Sequence, residues 1–248
     1  MSEGDFAAMQ LMGTEPGPVV DELAWMVERL APNLAGGARV LELGCGPAVV
    51  TRQLAGLAWV RSILALEVDA IQHAKNLAAP PVPGVTFAYS GAEAIPAEDA
   101  SADVVVMLKS LHHVPLDAMD RALGEVRRVL RPGGVAWISE PVFAGAFNAI
   151  IRLFNDEEEV RQAAFEAVWR AVAAGTLELV EERFVRVVRN VPDFATFERG
   201  IIGATYKDNR LSPEVHAEVK RRFEAHLGPD GATFDQPLRI DVLRRPVD

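Results

Sequence analysis

Two glycines and an acidic residue stand together at the end of an apolar segment. The segment VLELGCGPA (residues 40–48) contains Glu42, Gly44 and Gly46. Glycines at this spacing allow a tight turn and let a ligand approach the backbone closely. If a helix follows, its unpaired N–H groups point at the same place. The segment therefore predicts either a plain strand-to-helix turn or a ligand-binding loop.

A second acidic residue favours the ligand-binding alternative. Glu67 ends the apolar segment LALE, roughly 20 residues after Gly44. An acid at this interval, at the tip of a neighbouring strand, can accept hydrogen bonds from a ribose diol. Alone, Glu67 would be typical of a solvated strand end. Together with the glycine loop, it predicts a nucleoside site.

The surroundings of the loop narrow the choice of nucleoside. The dinucleotide pattern G-x-G-x-x-G needs a third glycine where this chain has Val49. Glu42 would also repel a pyrophosphate and favour a cationic ligand. S-adenosylmethionine, which carries a ribose, an adenine, a sulfonium and an amino group, fits these demands. A nicotinamide-dependent oxidoreductase is correspondingly disfavoured.

Strands and helices alternate around this loop. The predicted strands are almost continuously apolar, as in a parallel sheet covered on both faces, so we predict a doubly wound, Rossmann-like α/β fold. The strands are expected at 39–43, 62–67, 85–89, 103–108 and 134–139, and the helices at 18–31, 48–57, 70–78 and 115–130.

The alternation stops near residue 142. Asn155 or Asp156 is expected to cap one helix, and Ser212 with Pro213 another. FVRVVR (184–189) is a strand candidate, and LRIDV (238–242) predicts an antiparallel strand with one solvated face. The expected domains are an N-terminal helix or lid at 1–33, a cofactor-binding core at 34–142, a substrate-shaping helical insertion with a strand at 143–235, and a last antiparallel strand at 236–248.

Four segments in order resemble the motifs of class I S-adenosylmethionine-dependent methyltransferases, in the branch that acts on small molecules. VLELGCGPA resembles the first motif, and ALEVD resembles the ribose-binding motif. SGAEAIPAEDASADVVVMLKSLHHV is similar to the third and fourth strand region, and EVRRVLRPGGVAWISEP to the turn and fifth strand. The resemblance covers roughly residues 38–142. It implies a mostly parallel seven-stranded sheet and S-adenosylmethionine as the cofactor.

The resemblance also assigns cofactor-binding residues. Two positions depart from the family pattern: Ala48 replaces the third glycine, and Gly91 replaces an aspartate that holds the adenine amino group. Glu93 is the expected substitute, together with the backbone of Ala92, and Lys109 is an anion contact or simply exposed. The complete expected set is Glu42, Gly44, Cys45, Gly46, Glu67, Val68, Ala92, Glu93 and Lys109.

Candidate catalytic groups follow the fourth and fifth strands. His112 or His113 is a candidate general base, because imidazole titrates near neutral pH; the alternative is packing and helix capping. Glu140 is a candidate substrate ligand. No carboxylate spacing indicates a metal site. Carbon methylation of an acidic acceptor would need no base, and we favour that outcome slightly from the sequence.

Composition limits the partners. The net charge of −10 disfavours nucleic acid, the single cysteine excludes an intramolecular disulfide, and no apolar stretch approaches a membrane span. We expect a cytoplasmic enzyme that methylates carbon or oxygen of a small organic acceptor, with a homodimer left open. The alternative is a non-catalytic module that binds S-adenosylmethionine or its demethylated product.

Overall fold

The computed structural model describes residues 9–10, 13, 17–31, 34, 36–204 and 209–247. The strands are β1 Ala38–Leu43, β2 Val60–Glu67, β3 Val85–Tyr89, β4 Ala102–Leu108, β5 Leu130–Pro141, β6 Glu178–Val191, β7 Leu227–Gly228 and β8 Gly231–Arg244. The helices are α1 Glu22–Leu30, α2 Val49–Ala55, α3 Ala70–Ala78, α4 Met119–Val129, α5 Gly145–Ile151, α6 Glu158–Ala173, α7 Phe194–Phe197 and α8 Pro213–Glu224.

One mixed sheet organises the chain, and the predicted doubly wound fold is confirmed. Its strand order is β3-β2-β1-β4-β5-β8-β6, with the short β7 added beside β8. Strands β1 to β5 are parallel, and β8 is antiparallel to both β5 and β6. The order reverses between β1 and β4, so the loops that leave these two strands flank the crevice where such sheets bind ligands.

Both faces of the sheet are covered, which explains why the parallel strands are apolar throughout. Helices α4 and α6 cover one face and bury Val126 and Val168 completely. Helix α1 covers the other face, where the Trp25 ring meets the Trp137 ring edge-on at 5.5 Å. Burial of such side chains is the main stabilising contribution to the fold.

A third apolar cluster joins the later helices to the far ends of β6 and β8. Phe147, Phe197, Phe223 and Phe234 are its large buried rings. The Phe223 and Phe197 centroids lie 5.1 Å apart. Ser212 caps α8 as expected, because its Oγ accepts the N–H of Val215 at 3.3 Å.

The last two long strands correct the sequence-based boundaries. The last strand begins at Gly231 rather than at 236, and the strand expected at 184–189 extends over Glu178–Val191. These strands pair with each other along nearly their whole length. The 143–235 segment thus supplies β6 to the main sheet as well as helices. Polar residues such as Thr233 and Asp235 interrupt the apolar pattern, so the sequence did not predict the first half of β8.

The segment before α1 lies along the outer strand of the sheet. The N–H of Val20 donates to the carbonyl of Arg186 at 2.9 Å, and Met9 is buried. Of the helix or lid expected at 1–33, residues 1–8, 11–12, 14–16 and 32–33 fall outside the described residues. Among the described residues, no helix is both long and apolar enough to cross a membrane.

Candidate functional site

The glycine loop adopts left-handed backbone at three alternate positions. The φ angles are 75° at Gly44, 51° at Gly46 and 57° at Ala48. A Cβ at Gly44 would lie 2.7 Å from the Cβ of Ser110, so close packing requires that glycine. A Cβ at Gly46 would meet nothing within 4 Å. The loop therefore leaves open space over Gly46, as a ligand-binding turn requires.

Ala48 replaces a glycine at a position where glycine is favoured. Its φ of 57° is unusual for a residue with a Cβ, and it precedes the first residue of α2. Its side chain is buried, and its N–H donates to the carbonyl of Cys45 at 2.9 Å. The short methyl group lets the turn keep its shape.

Glu67 holds the glycine loop against the tip of β2. Its Oε2 accepts the N–H of Gly46 at 2.7 Å, and its Oε1 accepts those of Val68 and Asp69, each at 2.8 Å. Only 7% of the residue is exposed, so it is not a solvated strand end. A carboxylate has about four lone-pair positions, so one remains for a ribose hydroxyl.

Glu42 lies buried below the loop. Its Oε2 accepts the Thr51 hydroxyl at 2.6 Å. Burial raises the pKa of Glu42 to about 7, although the Thr51 hydrogen bond opposes the rise. A carboxyl group with a pKa near neutral pH ionises more readily when a cation lies close to it, because the cation favours the charged form.

Cys45 and Asn76 complete the lower side of the loop. Burial, followed by the charges of Glu42 and Glu67, raises the pKa of the Cys45 thiol to about 12, so the thiol is not a nucleophile. Asn76 donates to the carbonyl of Gly46 at 2.8 Å. Sequence reasoning missed Asn76, because a single polar residue on a helix carries no spacing signal.

The loop that follows β3 shows how Gly91 is accommodated. A Cβ at Gly91 would overlap the carboxylate of Glu93. The Glu93 carboxylate thus occupies the volume where a side chain at 91 would begin, which supports Glu93 as the substitute acid. Ala92 is buried in the core below. The adenine contacts of both residues stay predictions.

Lys109 leaves β4 with a left-handed backbone and a φ of 58°. Its Nζ pairs with the Glu22 carboxylate at 2.5 Å, and its N–H donates to the carbonyl of Ser139 at 2.7 Å. The side chain therefore ties the end of β4 to α1. Its proposed contact with the cofactor stays a prediction.

A buried histidine–carboxylate pair follows β4 and β5. The Nδ1 atom of His112 contacts Oε2 of Glu140, and Oε1 of the same carboxylate accepts the N–H of Leu111 at 2.8 Å. Burial alone would raise the pKa of Glu140, but the charge and hydrogen bond of His112 and the N–H of Leu111 hold it below its usual range. Glu140 therefore stays ionised and orients the imidazole.

The two histidines differ in their surroundings. His112 is 5% exposed, whereas His113 is exposed; their ring centroids lie 4.0 Å apart. The other ring nitrogen of His112, Nε2, lies 3.8 Å from Oε2 of Glu157, beyond hydrogen-bond distance. The geometry thus favours His112 over His113 as an oriented base.

His112, His113 and Glu157 also bring potential metal ligands within 4.8 Å of one another, a cluster that the sequence did not indicate. Glu157 is paired with the guanidinium of Arg161 at 2.7 Å. This positive charge opposes a cation at the same carboxylate.

Two arginines near Glu140 were not foreseen as site residues. Arg161 of α6 and Arg239 of β8 line a cavity of about 260 Å³ that also borders Glu140. Arg239 and Asp241 were expected on a solvated face, and this expectation is wrong: they are 3% and 0% exposed. Helix α6 covers that face, and the guanidinium carbon of Arg239 lies 4.4 Å from the Phe165 ring centroid.

Comparison with known proteins identifies the kind of domain to which the glycine loop belongs. Residues 40–134 match the model of a methyltransferase domain. That range contains the glycine loop, Glu67, Glu93 and the histidine pair. This part of the chain is therefore a methyltransferase domain, in agreement with its resemblance to the class I S-adenosylmethionine-dependent methyltransferases.

Individual relatives agree on the class and differ in the named acceptor. The methyltransferase is 30% identical over 173 residues to dimethylglycine N-methyltransferase of Parasynechococcus marenigrum, covering 65% of this chain and 59% of that protein. It is 30% identical over 186 residues to phthiotriol/phenolphthiotriol dimycocerosates methyltransferase 1 of Mycobacterium ulcerans, covering 72% and 65%. The chain thus spans less than two thirds of the length of either relative.

A solved structure shares the fold over nearly the whole methyltransferase. The [4+2]-cyclase SpnF superposes with a TM-score of 0.60 at 21% identity, covering 98% of this chain and 91% of that one. This likeness shows the fold alone, since one fold supports several reactions.

The residues of the methyltransferase fit the cofactor that its family implies. S-adenosylmethionine supplies an electrophilic methyl group on a sulfonium. The open backbone at Gly46 and the remaining acceptor position of Glu67 suit a ribose, and buried Glu42 suits a cation. Charge and shape therefore agree with the assignment.

Proposed function

We propose that this methyltransferase moves a methyl group from S-adenosylmethionine to a hydroxyl oxygen of a small organic acceptor. The observation that carries the proposal is the buried pair of His112, which follows β4, and Glu140, which lies at the carboxyl end of β5. Both side chains are nearly inaccessible, and the carboxylate is fixed by the N–H of Leu111. Such a pair suits removal of a proton from an acceptor.

The chemistry follows from the tautomer that Glu140 selects. When His112 is neutral, the ionised carboxylate accepts its Nδ1–H, so Nε2 carries the lone pair. S-adenosylmethionine held by the glycine loop would supply the methyl group to the acceptor oxygen as its C–S bond broke, and Nε2 would take the hydroxyl proton. Glu140 then stabilises the imidazolium. The demethylated product is S-adenosylhomocysteine, and its sulfur keeps the electron pair of the broken bond.

We assign the acceptor pocket to the segment 143–235, especially α6. Helix α6 follows directly on Glu157, which faces His112, and it contributes Arg161 to the cavity beside Glu140. The net charge of −10 supports a small molecule rather than nucleic acid as the acceptor. A cytoplasmic location and a possible second copy of the chain belong to the same proposal.

Three other functions compete with this proposal. Carbon methylation of an already acidic acceptor needs no base, and a nitrogen acceptor with a free lone pair needs none either. A non-catalytic module would bind S-adenosylmethionine without transfer. The oriented and buried histidine favours the oxygen acceptor over these three alternatives, because none of them uses it.

A labelled-methyl screen tests the proposal. The full chain is incubated with methyl-labelled S-adenosylmethionine and a panel of phenols, alcohols, quinones, carboxylic acids and amines. We expect label on a hydroxyl oxygen and a loss of roughly 10²- to 10⁴-fold in turnover for His112→Gln. His113→Gln is the matched control and should stay within about tenfold, since an exposed side chain without this role contributes less. Transfer to carbon or nitrogen, or equal turnover in both variants, would contradict it.

A further inference from the structure

Two buried arginines line one side of the proposed acceptor region, and the methyl-transfer step uses neither of them. Arg161 and Arg239 border the same cavity of about 260 Å³, together with Glu140 and Phe143. The side chain of Arg239 is 4% exposed and that of Arg161 is 10% exposed. Buried guanidinium groups are rare unless their N–H groups are matched by acceptors.

Each arginine has a donor left over. Nη2 of Arg239 and Nε of Arg161 are buried and have no hydrogen-bond partner among the described residues. Another donor of each arginine holds the side chain in place. Nε of Arg239 donates to Asp241 at 2.9 Å, and Nη2 of Arg161 donates to Glu157 at 2.7 Å. An acceptor group that reached both arginines would satisfy both of these donors.

The surrounding carboxyl groups disfavour a ligand with two negative charges. Burial raises the pKa of Asp241, and the adjacent Arg239 opposes the rise. Glu140 and Glu158 also border the cavity, and a doubly charged phosphate would meet their negative field. A carboxylate brings one charge and two oxygens, one for each orphan N–H.

We propose that Arg161 and Arg239 bind a carboxylate of the acceptor, which makes the substrate class a hydroxy acid. The inference rests on the proposed function, because it places the acceptor hydroxyl at His112. The carboxylate then enters the cavity on the other side of Glu140, and Phe143 contributes an apolar wall. Charge-assisted bonds from arginine to carboxylate provide both orientation and affinity.

Calorimetric titration of the full chain with benzoate, benzamide and phenyl phosphate tests the site without any turnover. Benzoate and benzamide have nearly the same shape and differ in charge. We expect benzoate to bind at least tenfold more tightly than benzamide, as the range for charged hydrogen bonds implies. Arg161→Gln should remove this preference. Arg244→Gln changes an exposed arginine of β8, the strand that carries Arg239, and should leave the preference for benzoate intact.

A double variant guards against misfolding. Arg239→Gln alone leaves buried Asp241 without its ion-pair partner. Arg239→Gln is therefore combined with Asp241→Asn, which replaces the ion pair by neutral side chains of similar size. Loss of the benzoate preference in the double variant supports the inference. Equal binding of benzoate and benzamide, tighter binding of phenyl phosphate, or a preference that survives Arg161→Gln would each overturn it. Failure of the proposed oxygen methylation appears separately, as the absence of label on a hydroxyl oxygen.

Discussion

The carboxyl groups beside the glycine loop are buried, and burial decides what each can do. Sequence spacing predicted Glu42 and Glu67 as cofactor residues. It did not predict that Glu67 already accepts three backbone N–H groups, nor that the pKa of Glu42 is raised to about 7. These properties arise from packing around the residue, which spacing along the chain does not encode.

We predict that S-adenosylmethionine binding releases a proton from Glu42. The raised pKa means that the folded protein retains this proton in the range where the unfolded chain has lost it. Protonation of Glu42 therefore stabilises the fold fully below about pH 4.5, and the contribution disappears as the pH rises through about 7. A bound cation favours the charged form, so binding should tighten from about pH 5 to about pH 8.

Calorimetry in two buffers of different ionisation enthalpy measures this release. At about pH 6 the amino group of the ligand is already protonated and contributes little. Glu42→Gln removes the titrating group and should abolish the buffer dependence. A wild-type binding enthalpy independent of the buffer would mean that Glu42 does not ionise on binding.

Gly46 provides a test of whether the loop is a binding site or only a turn. Gly46→Val should weaken S-adenosylmethionine binding at least tenfold, because a branched side chain would fill the open space over the loop and strain a φ of 51°. Gly175→Val is the matched control, since Gly175 has a φ of 69° and equally open surroundings. Each variant should lose about 1–2 kcal/mol of stability, but only the first should lose affinity. Equal affinities in the two variants would reduce the loop to a turn.

At the scale of whole elements, the parallel half of the sheet could be predicted closely. Strands β1 to β4 begin and end within two residues of the expected limits, because each is a short apolar run between turn signals, whereas β5 begins at Leu130, four residues before the expected start. The limits of the antiparallel strands could not be predicted as closely. β6 and β8 mix polar and apolar residues, and α6 covers the face with Arg239 that was expected to be solvated. That burial depends on where a distant helix packs.

The contact between β2 and the loop that follows β1 depends on Glu67. Glu67→Ala leaves three backbone N–H groups without their acceptor, so we predict a loss of about 1–3 kcal/mol in the free energy of unfolding. S-adenosylmethionine binding should weaken by about the same amount. Urea unfolding and calorimetry measure the two effects. Glu67→Gln keeps one acceptor oxygen and should fall between wild type and Glu67→Ala. Unchanged stability and affinity in Glu67→Ala would remove Glu67 from both roles.

The whole molecule divides its tasks between the two halves of the sheet. The loops that follow β1 and β4 lie at the reversal of strand order, and α6 and β8 add Arg161 and Arg239 to a cavity that Glu140 of β5 also borders. The motifs in residues 38–142 predicted the candidate cofactor residues. The arginines of the cavity were beyond sequence reasoning, because Arg161 and Arg239 are 78 positions apart and meet only after α6 packs on β8.

The turnover of the His112→Gln variant tests the central role of His112 most directly. With an accepted hydroxy compound and both substrates saturating, His112→Gln should lose roughly 10²- to 10⁴-fold in rate, because the acceptor hydroxyl has no other oriented base, whereas His113→Gln should stay within about tenfold of the wild-type rate. If His112→Gln retains the wild-type rate, His112 is not the base and the proposed mechanism is wrong.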